Sequence, residues 1–207
     1  MTVDLRRTRR DAVAGEIERV AVDLFATRGL DVTVDEVAEA AGISPRTFFR
    51  YFPTKADVVR AHRRRILERL EHALEARPAG EGPVRALREA HLATARMRPE
   101  DREPIVLVGR VLAEARRRGL YDGRFESDRV ERLVALTAAR FRRRRANDWR
   151  PAVVVASIMA AAEAAFRAWV EAGGRGDLAA MMAEAFDLLD AGLATLDGPP
   201  PTTRRER

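Results

Sequence analysis

Apolar positions along the chain recur at helical spacing, and no stretch of useful length alternates with a period of two. In 11–28, Val13, Ile17, Val20, Ala21, Leu24 and Phe25 share one side, and Gly29 follows as a left-handed stop. Val34, Val37, Ala38 and Ala41 give a short second face. Thr33 precedes it with Glu36 three positions on, a capping box, and Val32 and Val37 are spaced as a hydrophobic staple. Gly42 ends that helix and Ile43 can plug the turn. Ser44 as N-cap and Pro45 at the first helical position then open a helix over 45–52, about two turns long. Pro53 breaks it, Thr54 can cap again, and Lys55 starts a long helix to about Arg77. Its core side is Ala56, Val59, Ile66, Leu70, Ala73 and Leu74.

The Pro/Gly-rich run from Arg77 to Pro83 is the clearest boundary in the chain. Five further helices are predicted, at roughly 83–97, 103–118, 124–144, 150–172 and 177–196. Pro83, Pro104 and Pro151 lie near three starts, and Gly119 and Gly173-Gly174 near two ends. The reading is all-α, about nine helices in total. The Pro-rich tail, 198–207, is expected to be disordered, and no internal repeat is present.

Composition narrows the function classes. The 207 residues are 46% hydrophobic, enough for a sizeable core, and the absence of Cys excludes disulfides and Cys-ligated zinc. Charge begins at Asp4 and no uncharged apolar run reaches 18 residues, so neither a signal peptide nor a membrane span is expected and a cytoplasmic location is the default. The net charge of +6 suits a polyanion, but residues 1–77 hold 15 basic and 13 acidic groups, so local placement must decide. Arg6, Arg7, Arg9 and Arg10 make a basic stretch without apolar period. It reads either as a flexible arm for phosphates or a minor groove, or as a solvated terminus.

The helix over 45–52 carries the sharper chemistry. Phe48 and Phe52, four apart, should face the core, leaving Arg46, Thr47, Phe49, Arg50 and Tyr51 on other faces. Exposed aromatics flanked by Arg are costly in water and useful against DNA. Tyr51 suits a phosphate, Thr47 and Phe49 suit thymine methyls, and Arg46 can fork onto guanine. Lys55 is the one Lys in a chain that otherwise uses Arg. It opens a helix, where a cation opposes the dipole, so a phosphate partner is expected there. Two short helices joined by a tight turn make a helix-turn-helix.

Three runs carry a resemblance: Thr33-Val34-Asp35-Glu36-Val37-Ala38 through Ala41-Gly42-Ile43-Ser44, then Thr47 to Phe52, then Lys55. Together these resemble the DNA-binding domain of TetR-family transcriptional regulators over about 50 residues. The resemblance implies a three-helix helix-turn-helix domain joined by a long helix to an α-helical regulatory domain. The division is then a basic arm (1–10), a DNA-binding domain (11–56), a ligand-binding and dimerisation domain (57–197) and a tail (198–207). It implies a homodimer on a palindromic double-stranded DNA operator, usually a repressor released by a small ligand. Thr33, Ser44, Pro45, Arg46, Thr47, Phe49, Tyr51 and Lys55 are its DNA-facing positions. Pro45 and Arg46 stand where the family varies its readout.

The last two helices are the candidate dimer surface, with Val154, Ile158, Ala161, Ala165, Met182, Phe186, Leu189 and Leu193 as contacts in a four-helix bundle. A greasy effector site is expected from His91, Met97, Phe125, Phe141, Met159, Phe166 and Trp169, each of which can equally be core. If the runs Arg116–Arg118 and Arg142–Arg145 meet at its mouth, an anionic ligand with an apolar tail, such as a fatty acyl-coenzyme A, would fit; otherwise they are solvated faces. Two rival readings remain: a DNA-binding regulator or architectural protein without a small effector, and an all-helical enzyme or cofactor carrier. For catalysis the sequence offers no nucleophile motif, phosphate loop or paired Glu-x-x-His, and for a cofactor or metal nothing beyond the small effector.

Overall fold

The computed structural model describes residues 5–119, 127–141 and 147–192, without the side chains of 5–8 and 127. Phe125, Leu193, the Arg142–Arg145 run and the 198–207 tail lie outside the described residues. The described residues are helical, without strands: α1 (Leu5–Arg28), α2 (Val34–Ala40), α3 (Pro45–Tyr51), α4 (Lys55–Glu75), α5 (Pro83–Ala95), α6 (Arg102–Arg117), α7 (Ser127–Ala138), α8 (Arg150–Glu171) and α9 (Leu178–Asp190). A one-turn 3₁₀ helix, Pro99–Asp101, precedes α6.

The expected ends of four helices move, among them α7, which ends at Ala138 and well short of the expected 144. α1 starts at Leu5, so Arg6, Arg7, Arg9 and Arg10 are helical and not a flexible arm. Adding residues to a formed helix is cheap, Arg is a good helix former, and no breaker separates residue 5 from the core-facing positions. α4 ends at Glu75, just short of the Pro/Gly run. α9 ends at Asp190, because Gly192 (φ 74°) takes a left-handed turn where a longer helix was expected.

The chain forms two compact units. The first comprises 1–72 and 97–132, the second 73–96 and 133–207. In the first, Ile17, Ala21, Val22 and Phe25 of α1 meet Val37, Ala38, Phe48, Phe52, Val58 and Val59 in one core. Val111 and Ala115 of α6 complete that core, so a helix far along the chain packs against α1. One carboxylate is buried beside it. Glu18 is 3% exposed and receives His62 (Nδ1–Oε1 2.9 Å) and Arg65 (3.2 Å) from α4. Gly15 makes room for this: a Cβ there would lie 3.0 Å from an Arg65 guanidinium nitrogen.

The second unit is built from α5, α8 and α9, each in contact with the other two. Leu87 and Ala90 of α5, Val155, Ile158, Met159, Ala165 and Trp169 of α8, and Leu178, Met182 and Phe186 of α9 are buried. The Trp169 indole N–H donates to the Gly176 carbonyl at 3.3 Å. Arg88 lies 5.6 Å from the Phe186 ring centroid and pairs with Asp187 (2.6 Å) and Asp190. Arg140 donates to the carbonyls of Leu74, Arg77 and Pro78, closing the C-terminal end of α4 with a cation, as the helix dipole favours. α8 is long and apolar enough to cross a membrane by length and composition alone, and one of its apolar sides is covered by α5 and α9.

The capping box holds the start of α2. Thr33 Oγ1 accepts from the Glu36 N–H (3.2 Å), and Glu36 Oε2 accepts from the Thr33 N–H (2.8 Å). Hydrogen bonds from Thr33 backbone and hydroxyl, with Arg28 behind them, hold the Glu36 carboxyl below its ordinary value. Its stabilisation is therefore complete above the unfolded-state value and is lost as pH falls through the lowered folded value. Thr33→Ala should cost about 1 kcal/mol in urea unfolding at neutral pH. The difference from wild type should shrink on acidification; a difference that stays constant down to full protonation would refute this coupling.

Candidate nucleic-acid interface

α3 is seven residues long, too short to persist unaided, and its position is imposed from outside. Ser44 accepts the Thr47 N–H on its hydroxyl (3.1 Å), and Pro45 presets the first turn. The turn before it closes through Gly42 (φ 66°) and the Ile43 N–H, which donates to the Ala38 carbonyl at 2.9 Å. Phe48 is fully buried and Phe52 is 5% exposed, their rings 5.9 Å apart. With those two anchored, Pro45, Arg46, Phe49 and Arg50 stand exposed, and Thr47 and Tyr51 half-buried. Phe49 is 50% exposed and meets Phe48 edge-on at 5.8 Å, so its ring is steadied from beneath. Arg50 lies over the Tyr51 ring, 5.2 Å from its centroid. Thr33 and Ser44, at the starts of α2 and α3, are exposed as well.

Lys55 has a different setting from the one its helix-start position suggests. Its ammonium donates to the carbonyls of Leu30 (2.6 Å) and Val32 (3.0 Å) and is half-buried. Two of three N–H donors therefore hold the segment entering α2, and one remains for an anion. Arg118 grips the same segment through Asp31 (2.6 Å) and also pairs with Glu114 (2.6 Å). The Arg118 hydrogen bond holds the Asp31 carboxyl below its ordinary range. Arg117 pairs with Glu114 too (2.5 Å). Within the Arg116–Arg118 run, two residues are thus engaged with carboxylates inside the first unit. The Asp31 contact pairs residues 87 apart, and no local sequence pattern announces it.

Several of the residues proposed for an effector site are core in the described structure. Met97 belongs to the first unit. His91 is 7% exposed, its Nδ1 2.9 Å from the Leu87 carbonyl, with the Phe186 ring edge-on at 5.9 Å. Met159 and Trp169 are core, Phe166 stacks on Trp169, and Phe141 lies under the Arg150 guanidinium. The expected dimer contacts are corrected in part. Ile158, Ala165, Met182 and Phe186 are buried within the protomer, because α5 covers the α8–α9 pair. Val154, Ala161 and Leu189 are half-buried. The open face of α8 carries Val153, Ala156, Ala160 and Ala164, with Trp149 (69% exposed) at its head.

Comparison with known proteins agrees with this geometry. Residues 17–62 match the family model described as bacterial regulatory proteins, tetR family, and residues 125–194 match that of the MftR C-terminal domain. The HTH-type transcriptional regulator TcmR of Streptomyces glaucescens is 36% identical over 180 residues, spanning 80% of this chain and 74% of the relative. The chain belongs to the TetR family of transcriptional regulators. The mycofactocin biosynthesis regulator MftR of Mycobacterium tuberculosis is 50% identical over 48 residues, 23% of this chain and 24% of that protein. In fold, the chain is similar to the Thermus thermophilus TetR-family repressor FadR, solved with lauroyl-CoA. The TM-score is 0.59 at 24% identity, covering 91% of this chain and 98% of that one. It is similar also to NalD, a repressor of a Pseudomonas aeruginosa efflux pump. There the TM-score is 0.56 at 17% identity, covering 88% and 95%. A TetR-family DNA-binding regulator accounts for an α3 that buries two aromatics and exposes Arg46, Phe49 and Arg50.

Lys55→Met should destabilise the protein by about 1–3 kcal/mol, because it leaves two carbonyls without their donor. Urea unfolding reads this directly. Unchanged stability with a reduced salt dependence of DNA binding would instead mean that the ammonium serves mainly a phosphate.

Proposed function

We propose that this TetR-family regulator is a ligand-released homodimeric repressor on a palindromic operator. The observation that carries the reading is the outward face of α3, where Arg46 and Phe49 are exposed and Thr47 half-buried beside a core anchored by Phe48 and Phe52. A single α3 spans too few base pairs for operator specificity. A two-fold pair of them enters successive major grooves when the helices are about one DNA turn apart, roughly 34–36 Å. In this reading Arg46 reads a base edge, Thr47 and Phe49 contact thymine methyls, and Thr33, Ser44, Pro45 and Tyr51 lie along the backbone. The protein works where the chromosome is, in the cytoplasm.

The second copy docks on the open face of α8, on Val153, Ala156, Ala160 and Ala164. These small residues allow close helix approach, and Trp149 is too large an apolar group to favour water. Released from DNA, the dimer holds a small apolar effector that binds only the conformer with a different spacing of its readers. FadR of Thermus thermophilus was solved with lauroyl-CoA and a FadR of Bacillus subtilis with stearoyl-CoA, which supports an acyl-coenzyme A as the first ligand to try. The Arg117 and Arg118 pairings give that choice no help from this chain's own residues.

Selection from a random duplex library should return an inverted repeat. Phe49→Ala should lower affinity for it by at least tenfold with little change in unfolding free energy; recovery of non-palindromic sequences only would overturn the two-fold reading. Ala160→Glu should convert the dimer to monomer in sedimentation equilibrium, and an intact dimer would exclude the α8 face. In thermal-shift titrations, the absence of stabilisation by lauroyl- and stearoyl-coenzyme A would discard the acyl-coenzyme A assignment.

A further inference from the structure

The segment Leu30-Asp31-Val32 leads into the Thr33 cap of α2 and is held at each of its residues. The Lys55 ammonium donates to the two flanking carbonyls, Leu30 (2.6 Å) and Val32 (3.0 Å). Arg118 donates to the Asp31 carboxylate with both terminal nitrogens, at 2.6 and 3.3 Å. We propose that Arg118, at the end of α6, is a positioning residue for DNA binding that keeps the Asp31 carboxylate off Lys55, so that the third N–H of the ammonium stays open to a backbone phosphate. Asp31 is then a built-in competitor of the phosphate, and Arg118 decides which of the two Lys55 holds. The proposal rests on the DNA-binding reading above.

Asp31 has the freedom such a competitor needs. Its side chain is 85% exposed, and Arg118 is its one ion-pair partner among the described residues. Lys55 grips the peptide groups on both sides of it, so the ammonium and the carboxylate are near neighbours. The Arg118 hydrogen bond and charge do most to hold the Asp31 carboxyl below its ordinary value, and the Lys55 charge adds to them, so the ammonium already acts on this group. An ammonium has three donors, and two of those on Lys55 are spent on carbonyls. A carboxylate released from Arg118 would therefore find one N–H left, the same one a phosphate needs.

The present pairing favours Arg118 for reasons of shape. A guanidinium fork meets both oxygens of a carboxylate at once, whereas the remaining N–H of Lys55 meets only one. Glu114 accepts from Arg118 Nε at 2.6 Å, which aims the two terminal nitrogens at Asp31. Arg117 pairs with the other oxygen of Glu114. Val111 and Ala115 lie in the same core as Phe48, so the end of α6 that carries this fork is fixed against the reading head. The fork itself is in solvent, where an ion pair contributes little, and the preference of Asp31 for Arg118 is therefore one that a single substitution can reverse.

The test uses the full-length protein, isotopically labelled at the lysine side-chain nitrogen. Lys55 is the single lysine of the chain, so its ammonium gives one magnetic-resonance signal. Without DNA, that signal should shift in Arg118→Ala and return to its wild-type position in Arg118→Ala/Asp31→Asn. On the duplex returned by selection, Arg118→Ala should lose roughly fivefold in affinity at moderate salt, and its slope of log K against log salt should fall in magnitude by about 0.9, one phosphate contact. Asp31→Asn should bind at least as tightly as wild type, and the double variant should recover wild-type affinity and slope. Arg117→Ala removes the same charge one residue away and leaves Asp31 paired, so it should keep the wild-type slope. All three positions are exposed, and circular dichroism should show folded proteins. Weaker binding by Asp31→Asn would mean that the pair only steadies the segment and would overturn the proposal. An unmoved Lys55 signal in Arg118→Ala, or equal losses in Arg117→Ala and Arg118→Ala, would overturn it too. Failure of wild-type protein to select any duplex would overturn the DNA-binding reading instead, and the signal measured without DNA would still report whether Asp31 turns to Lys55.

Discussion

Burial of Phe48 and Phe52 is the constraint on which the DNA-facing surface depends. A seven-residue helix has little stability of its own, so α3 exists where its two rings enter the core. Rings one turn apart define a buried stripe and thereby fix which residues face outward. Arg46, Phe49 and Arg50 are presented to solvent by geometry and not by any preference of their own. The same arrangement explains why a half-exposed Phe49 is tolerable: its ring rests edge-on against Phe48.

What holds that core in place reaches well beyond the helix-turn-helix. Lys55 draws the carbonyls of Leu30 and Val32 to the start of α4, and Arg118 draws Asp31 to the end of α6. Val111 and Ala115 of α6 are part of the same hydrophobic cluster as Phe48. The reading head therefore depends on residues from the middle of the chain, and a change at α6 bears on the segment that leads into α2. Beside this, the buried Glu18 with His62 and Arg65 ties α1 to α4 by a specific ionic contact, for which Gly15 leaves the space. Such contacts contribute more to fixing one packing arrangement than to net stability.

In the second unit the deciding factor is which helix faces are already covered. α8 and α9 are apolar on more than one side, and α5 occupies the side that holds Ile158, Met182 and Phe186. The face that remains is small-residue rather than bulky, and Trp149 with Val153 marks its exposed end. An interface there would pack helix backbone close to helix backbone.

The local features of the first fifty-five residues were legible in sequence because each is decided within a few residues. The Thr33–Glu36 capping box, the Gly42 turn, the Ser44-Pro45 start and the inward pair Phe48 and Phe52 rest on spacings of three or four along a helix. The all-α class follows from the same periodicity, whereas the family was legible only as a resemblance carried by the motif residues. Tertiary structure alone decided the rest. Lys55 reads as a phosphate ligand from its place in the chain, and only folding shows that two backbone carbonyls lie within its reach. Arg116–Arg118 reads as one basic run, yet Glu114 and a residue 87 positions away engage part of it. Helical periodicity identifies which residues are apolar on α8 and α9 but not which apolar face meets α5. That choice is made by contacts distant in sequence, and a single chain's pattern carries no record of them.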